Sequence, residues 1–195
     1  MGLRTVALKG GDIASLLALE GLVFRASDAD QNDVVTGQTS FVATTPTFLL
    51  DIPAGTTVIP LGANLNQTGT VAGAAIDIIM EFDNADRYAS GGTAETVLPA
   101  RTLGPNGAPT AATSLCTFYT GATAETGYGI RVDGVTVGMD VSSAEGVINE
   151  YIWTPSGGYD FLVGPASLLV YTYAGTTGPT WFWTIKWAEV HTVNL

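Results

Sequence analysis

Cysteine, histidine and lysine are almost missing from this chain. Its 195 residues include one cysteine, Cys116, one histidine, His191, and two lysines, Lys9 and Lys186. A lone cysteine forms no intrachain disulfide. Structural zinc takes four ligands, mostly cysteine and histidine, so the composition argues against zinc. A nucleophilic Cys116 or a Ser-His-Asp arrangement would have to use His191, four residues from the end of the sequence, whereas catalysis needs rigid placement. The apolar surroundings of Cys116, in Ser114 to Tyr119, predict instead a buried strand thiol that behaves as a small hydrophobe. No Gly-x-Ser-x-Gly elbow occurs, and the glycine pairs Gly91-Gly92 and Gly157-Gly158 lack the Lys-Ser/Thr of a phosphate loop.

Charge is scarce too. Charged residues make up 13% of the chain, against about 25% in an average soluble domain. Seven cations face eighteen acids, a net charge of −11. Phosphate contacts need Lys or Arg, so direct nucleic-acid binding is not expected, and an anionic membrane surface would repel the chain. No apolar run reaches the ~18–20 residues of a membrane span. No secretory signal is evident at the start, and synthesis in a reducing cytoplasm is expected. A chain that is 46% hydrophobic with so few charges has little with which to coat an isolated surface. Burial of its faces against other copies follows as an expectation, with a Thr- and Asn-coated monomer as the alternative.

What is abundant is strand pattern. In Thr180–Val190, Trp181, Trp183, Ile185 and Trp187 fall on odd positions and Thr184, Lys186 and Ala188 on even ones. That is a period of two with one heavily apolar face. Ile76, Ile78, Met80 and Phe82 alternate in the same way with Asp77 and Glu81. Further strands are expected at 22–27, 40–44, 47–52, 56–68, 93–98, 114–120, 146–154, 159–163 and 168–173. Pro60 should confine its strand to an edge or a bulge. Asp133-Gly134 is expected to turn a hairpin within 129–137. The early part differs: Asp12 and Gly21 frame a short amphipathic helix at about 12–20, with Ile13, Leu16 and Leu17 on one stripe. Two turns are not stable alone, so this helix docks either on its own domain or on a neighbouring subunit. Asp28 to Asp33 is dense in oxygen ligands, but Asp33 and Thr39 stand where an EF-hand needs Gly and Glu. A solvated turn is expected there, with a non-EF calcium site as the alternative.

Ten to twelve short strands with frequent turn signals predict an all-β fold, and the jelly-roll β-sandwich, two packed antiparallel sheets, is the expected architecture. Residues 1–40 are expected to form an N-terminal arm with the helix and the first strand, and residues 41–195 the sandwich. Glycoside hydrolysis needs two carboxylates about 5–9.5 Å apart, and Glu150, near Trp153, is the most suggestive of Glu81, Glu95, Glu145, Glu150 and Glu189. Carbohydrate binding without catalysis would use Trp153, Trp181, Trp183 and Trp187 as stacking platforms. The competing reading places the alternating tryptophans in the core.

With the strands placed, the chain resembles jelly-roll structural proteins of viruses, above all the capsid decoration, cement or minor head proteins of tailed bacteriophages. The segments that carry the resemblance are 47–61, 75–82 and 179–187, with their Thr- and Gly-rich strands, few lysines and almost no Cys or His. The resemblance implies a virion protein with no catalytic residues and no cofactor, a homo-oligomer, most often a trimer, packed against other shell proteins. It also implies an early arm reaching neighbours, which points to Arg4, Ile13, Leu16 and Leu17 as interface residues. Residues 1–40 hold Arg4, Lys9 and Arg25 against five acids, which places such a protein outside the shell, away from the genome.

Overall fold

The computed structural model describes residues 13–28, 34–68, 75–101, 113–137, 149–156 and 158–192. Among the described residues one helix, α1 (Ile13–Leu19), precedes fifteen strands: β1 (Val23–Ser27), β2 (Val35–Thr36), β3 (Phe48–Ile52), β4 (Thr56–Gln67), β5 (Ile76–Asp83), β6 (Tyr88–Ser90), β7 (Thr93–Ala94), β8 (Val97–Pro99), β9 (Thr117–Thr120), β10 (Thr123–Ala124), β11 (Ile130–Val137), β12 (Glu150–Trp153), β13 (Leu162–Val163), β14 (Ala166–Ala174) and β15 (Thr180–His191). The front sheet runs β12-β4-β15-β1-β8, with β13 on β4 and β2 on β15. The back sheet runs β11-β5-β14-β3-β9-β7, and β6 and β10 form a separate small ladder.

The pairing is nested. β1 lies beside β15, β3 beside β14, β4 beside β12 and β5 beside β11, and successive pairs fall in front, back, front and back sheets. A long antiparallel hairpin rolled up in this manner is a jelly roll. The expected architecture is therefore the observed one. Its core is made by the alternation read in the sequence: Trp181, Trp183, Ile185 and Trp187 from β15 meet Phe48, Phe118, Ile76, Ile78 and Met80 from the back sheet. Phe118 lies between two indoles, with ring centroids 5.1 Å from Trp183 and 5.9 Å from Trp187, near parallel to both.

Several local expectations change. Val23–Ser27 does not belong to a separate arm: β1 is paired on both sides, with β15 and with β8, so the sandwich begins well before residue 41. Residues 40–44 form no strand. They cross the outer side of the back sheet, where Phe41 packs on Tyr171 at 5.0 Å and Tyr171 donates its hydroxyl to Ala43 O. Residues 93–98 are not one strand but two, β7 in the back sheet and β8 in the front sheet. Asp133-Gly134 turns nothing. β11 runs straight along all of β5, taking up Val132 as a bulge, because an eight-residue partner offers more ladder bonds than a two-residue turn. Pro60 sits inside a central strand, yet by the expected device. Leu61 is an extra residue opposite β15, and on its other side Pro60 falls between the stretches of β4 paired with β12 and β13, so its missing N–H costs no ladder bond.

Candidate assembly surface

The residues singled out from the sequence are not brought together. Trp181, Trp183 and Trp187 lie inside the sandwich, Trp181 and Trp187 fully buried, so none of the three can stack on a ligand. Trp153 is half-buried and meets Phe82 edge-on at 6.2 Å. Glu150 is exposed on β12, where its in-register neighbour is Asn66 and its carboxylate accepts a 3.4 Å bond from the Asn64 amide. Glu81 and Glu189 are buried. Glu189 accepts from Ser114 Oγ, Leu115 N and Trp187 Nε1, which is a structural tie between β15 and the approach to β9. Cys116 is buried, and burial followed by the neighbouring Glu189 pushes its thiol far up, away from the reactive thiolate. His191 is exposed at the end of β15. Arg4, Glu145 and residues 29–33 of the oxygen-rich stretch lie outside the described residues. Among the described residues no group of three or more His, Cys, Asp or Glu could hold a metal ion.

Helix α1 resolves the choice left open for it. Gly21 adopts φ 80°, and the bonds Gly21 N→Ala18 O and Leu22 N→Leu17 O close a Schellman cap. Leu16 and Leu17 are buried, Leu17 against Val23, Ile59 and Ala188 of the chain's own front sheet. They are therefore not free for a neighbour, and the interface assignment fails for both. Ile13 opens this same helix. Leu19 of α1 is 69% exposed.

The two outer faces are treated differently. On the back sheet, Leu49, Ile79, Leu169 and Tyr171 are covered by Phe41, Tyr88 and Ala124 from the chain's own excursions. On the front sheet, among the described residues, α1 covers one end only. Beyond it the register sets out three open rows: Glu150–Asn66–Phe182, then Ile152–Asn64–Thr184–Ser27, then Gly62–Lys186–Arg25–Leu98. Ile152 is 60% exposed, Leu98 46% and Phe182 38%. Asn66 donates to Asn64 Oδ1 at 2.7 Å, which fixes the amides in the middle. Sequence reasoning missed this face because it followed the large tryptophans. The available signal was the other parity of the same strand, Phe182, Thr184 and Lys186.

Three buried acids of high pKa set the alkaline limit of the fold. Burial, then the bond to Asp133, raises Tyr151 above its ordinary 10.0. Burial, then Glu81, raises Tyr171 above the same value. Cys116 is raised from 9.0. All three hold their protons more tightly folded than unfolded. Their contribution is whole below pH 9.0, where the unfolded thiol begins to ionise, and is lost as pH rises further. Each group removes up to about 1.4 kcal/mol per pH unit. Urea midpoints should be flat from pH 7 to 8.5 and fall steeply by pH 11, and Cys116→Ala should delay the onset. A midpoint unchanged at pH 11 contradicts this account.

The fold and the open rows together define an all-β jelly-roll sandwich whose front sheet is covered by the described residues at one end only. Comparison with protein-family models, curated proteins and solved structures gives no match.

Proposed function

We propose that this chain is a structural assembly protein, a jelly-roll subunit of a virion shell or appendage that acts by burying its faces against sister copies and neighbouring shell proteins. The observation that carries this reading is where apolar and polar groups have gone. Tyr128, Ile130, Leu19 and Ile152 are 78%, 70%, 69% and 60% exposed, in a chain short of surface charge. The buried polar groups Arg87, Glu189 and Thr172 are bound up in internal ties. A capsid decoration, cement or minor head role, with trimers as the resemblance implies, is the form we favour.

A carbohydrate-binding module or fibre-tip adhesin is the second reading. Phe182 supports it, as an exposed ring flanked by Asn66, Thr184 and Glu150, the side-chain types that hold sugars. Glycoside hydrolysis has less support, because Glu150 has no second carboxylate in its row or the next.

Size-exclusion chromatography with light scattering separates the readings. Assembly predicts species heavier than the 20.2 kDa chain, growing with concentration and visible as particles by electron microscopy. A persistent monomer that binds glycans overturns it. The contribution of Arg4 is tested by removing residues 1–12 and no more, since a longer deletion would strip α1 from Val23, Ile59 and Ala188.

A further inference from the structure

The open rows of the front sheet carry opposite charges at opposite corners. Arg25 and Lys186 are in register on adjacent strands and point to the same side. Like charges so placed repel, and neither makes an ion pair or a side-chain hydrogen bond among the described residues. The Arg25 Nε is buried with no acceptor among the described residues, a rare state for such a group. This is two of seven cations in a chain of net charge −11, set side by side and left unneutralised. Diagonally across the face stands Glu150, exposed, with only the 3.4 Å amide contact.

A face with a positive corner and a negative corner complements itself. We propose that two copies of this chain meet through it about a two-fold axis lying in the plane of the contact, midway between the two corners and perpendicular to the line that joins them, with Glu150 of each copy over the Arg25–Lys186 pair of the other. The occupant is a second copy because the same rotation satisfies both corners at once, which is the property of an isologous contact. On the flat layout given by strand spacing and rise, it also carries Ile152 towards Gly62, where no side chain stands in the way. This specifies one contact of the assembly reading and rests on it. The open rows span roughly 20 by 14 Å, far less than the ~800 Å² per partner of a stable pair. The free dimer is therefore weak, and the contact gains strength only where many copies are held together. Being two-fold, it pairs subunits or trimers and does not itself close a trimer.

Two variants test it by sedimentation equilibrium over a wide concentration range, each first shown to unfold like the parent. Glu150→Lys places a cation over cations, and the double variant Arg25→Glu with Lys186→Glu places acids over an acid. Each alone should associate at least tenfold more weakly than the parent. Their equimolar mixture should recover parental association. The ammonium introduced in one copy then faces the carboxylates introduced in the other, while Glu150 of the second meets the intact cation pair of the first. Parental association should also weaken with added salt. Association indifferent to both variants overturns this contact while leaving the assembly reading in place. A mixture that stays dissociated overturns it as well. A parent that is monomeric at every concentration removes both, and glycan binding lost on Phe182→Ala then assigns the face to a sugar.

Discussion

Replacing Arg87 with methionine will lower the unfolding free energy by roughly 3–5 kcal/mol, the usual cost of removing one partner of a buried ion pair. Arg87 is 3% exposed. Its guanidinium donates to Asp83 Oδ2 at 2.7 Å, to Gly127 O at 2.9 Å and, through both Nε and Nη2, to Glu125 O. Its backbone closes the tie: Arg87 N donates to Ser167 Oγ, and Glu125 N donates to Arg87 O. One side chain thus fastens residues 125–127, part of the excursion between β5 and β11, to Asp83 at the end of β5. The methionine variant leaves a half-buried carboxylate and two carbonyls without their donor. Arg87→Lys keeps the charge but cannot fork to three acceptors. It should lose less, about 1–3 kcal/mol for the groups left unmet. Urea unfolding measures both, and amide exchange at 117–128 should quicken before the rest of the sheet. Equal stability of parent and methionine variant would show that the excursion is held by something else.

Arg87 also marks what sequence could not disclose. Pattern made the sandwich legible, because strand parity is a local property. Trp181, Trp183, Ile185 and Trp187 shared one face whichever surface it met, and the framed stripe of Leu16 and Leu17 had to dock on something. The partners were not local. The pairing of Arg87 with the carbonyls of residues 125 and 127 joins positions about forty apart in sequence, and no spacing rule reaches that far. The tie of Glu189 to Ser114 and Leu115 is longer still. Asp133-Gly134 failed for the opposite reason: a strong local turn signal was overruled by the uninterrupted edge of β5, which exists only after the sheet has formed. The interface expectation for Leu16 and Leu17 failed because both are buried, and the patch that receives Leu17, around Val23, Ile59 and Ala188, depends on the bulge at Leu61. That bulge reverses the parity of β4 and turns Ile59 outward. The open rows of the front sheet were written in the sequence, but as the small and charged residues between the tryptophans.

Trp187→Ala should be the most damaging single core substitution, with an expected loss of about 3–5 kcal/mol from the cavity and a further 1–3 kcal/mol or so from the donor withdrawn from buried Glu189. The two parts can be separated within this core. Trp183 and Trp187 flank the same Phe118 ring, and both are buried. Trp187 Nε1 donates to Glu189 Oε1 at 2.7 Å, whereas Trp183 Nε1 has no acceptor among the described residues. Changing either indole to phenylalanine removes similar volume. Trp187→Phe also strips a charge-assisted bond, while Trp183→Phe removes a donor that was desolvated without return. Trp187→Phe should therefore be less stable than Trp183→Phe by roughly 1.5–3 kcal/mol, the range for hydrogen bonds to charged groups. Adding Glu189→Gln to Trp187→Phe should cost less than adding it to the parent, since the bond it would weaken is already gone. Urea midpoints of the parent and the four variants decide the matter, and equal losses from the two phenylalanine variants would mean that Glu189 is held by Ser114 and Leu115 alone.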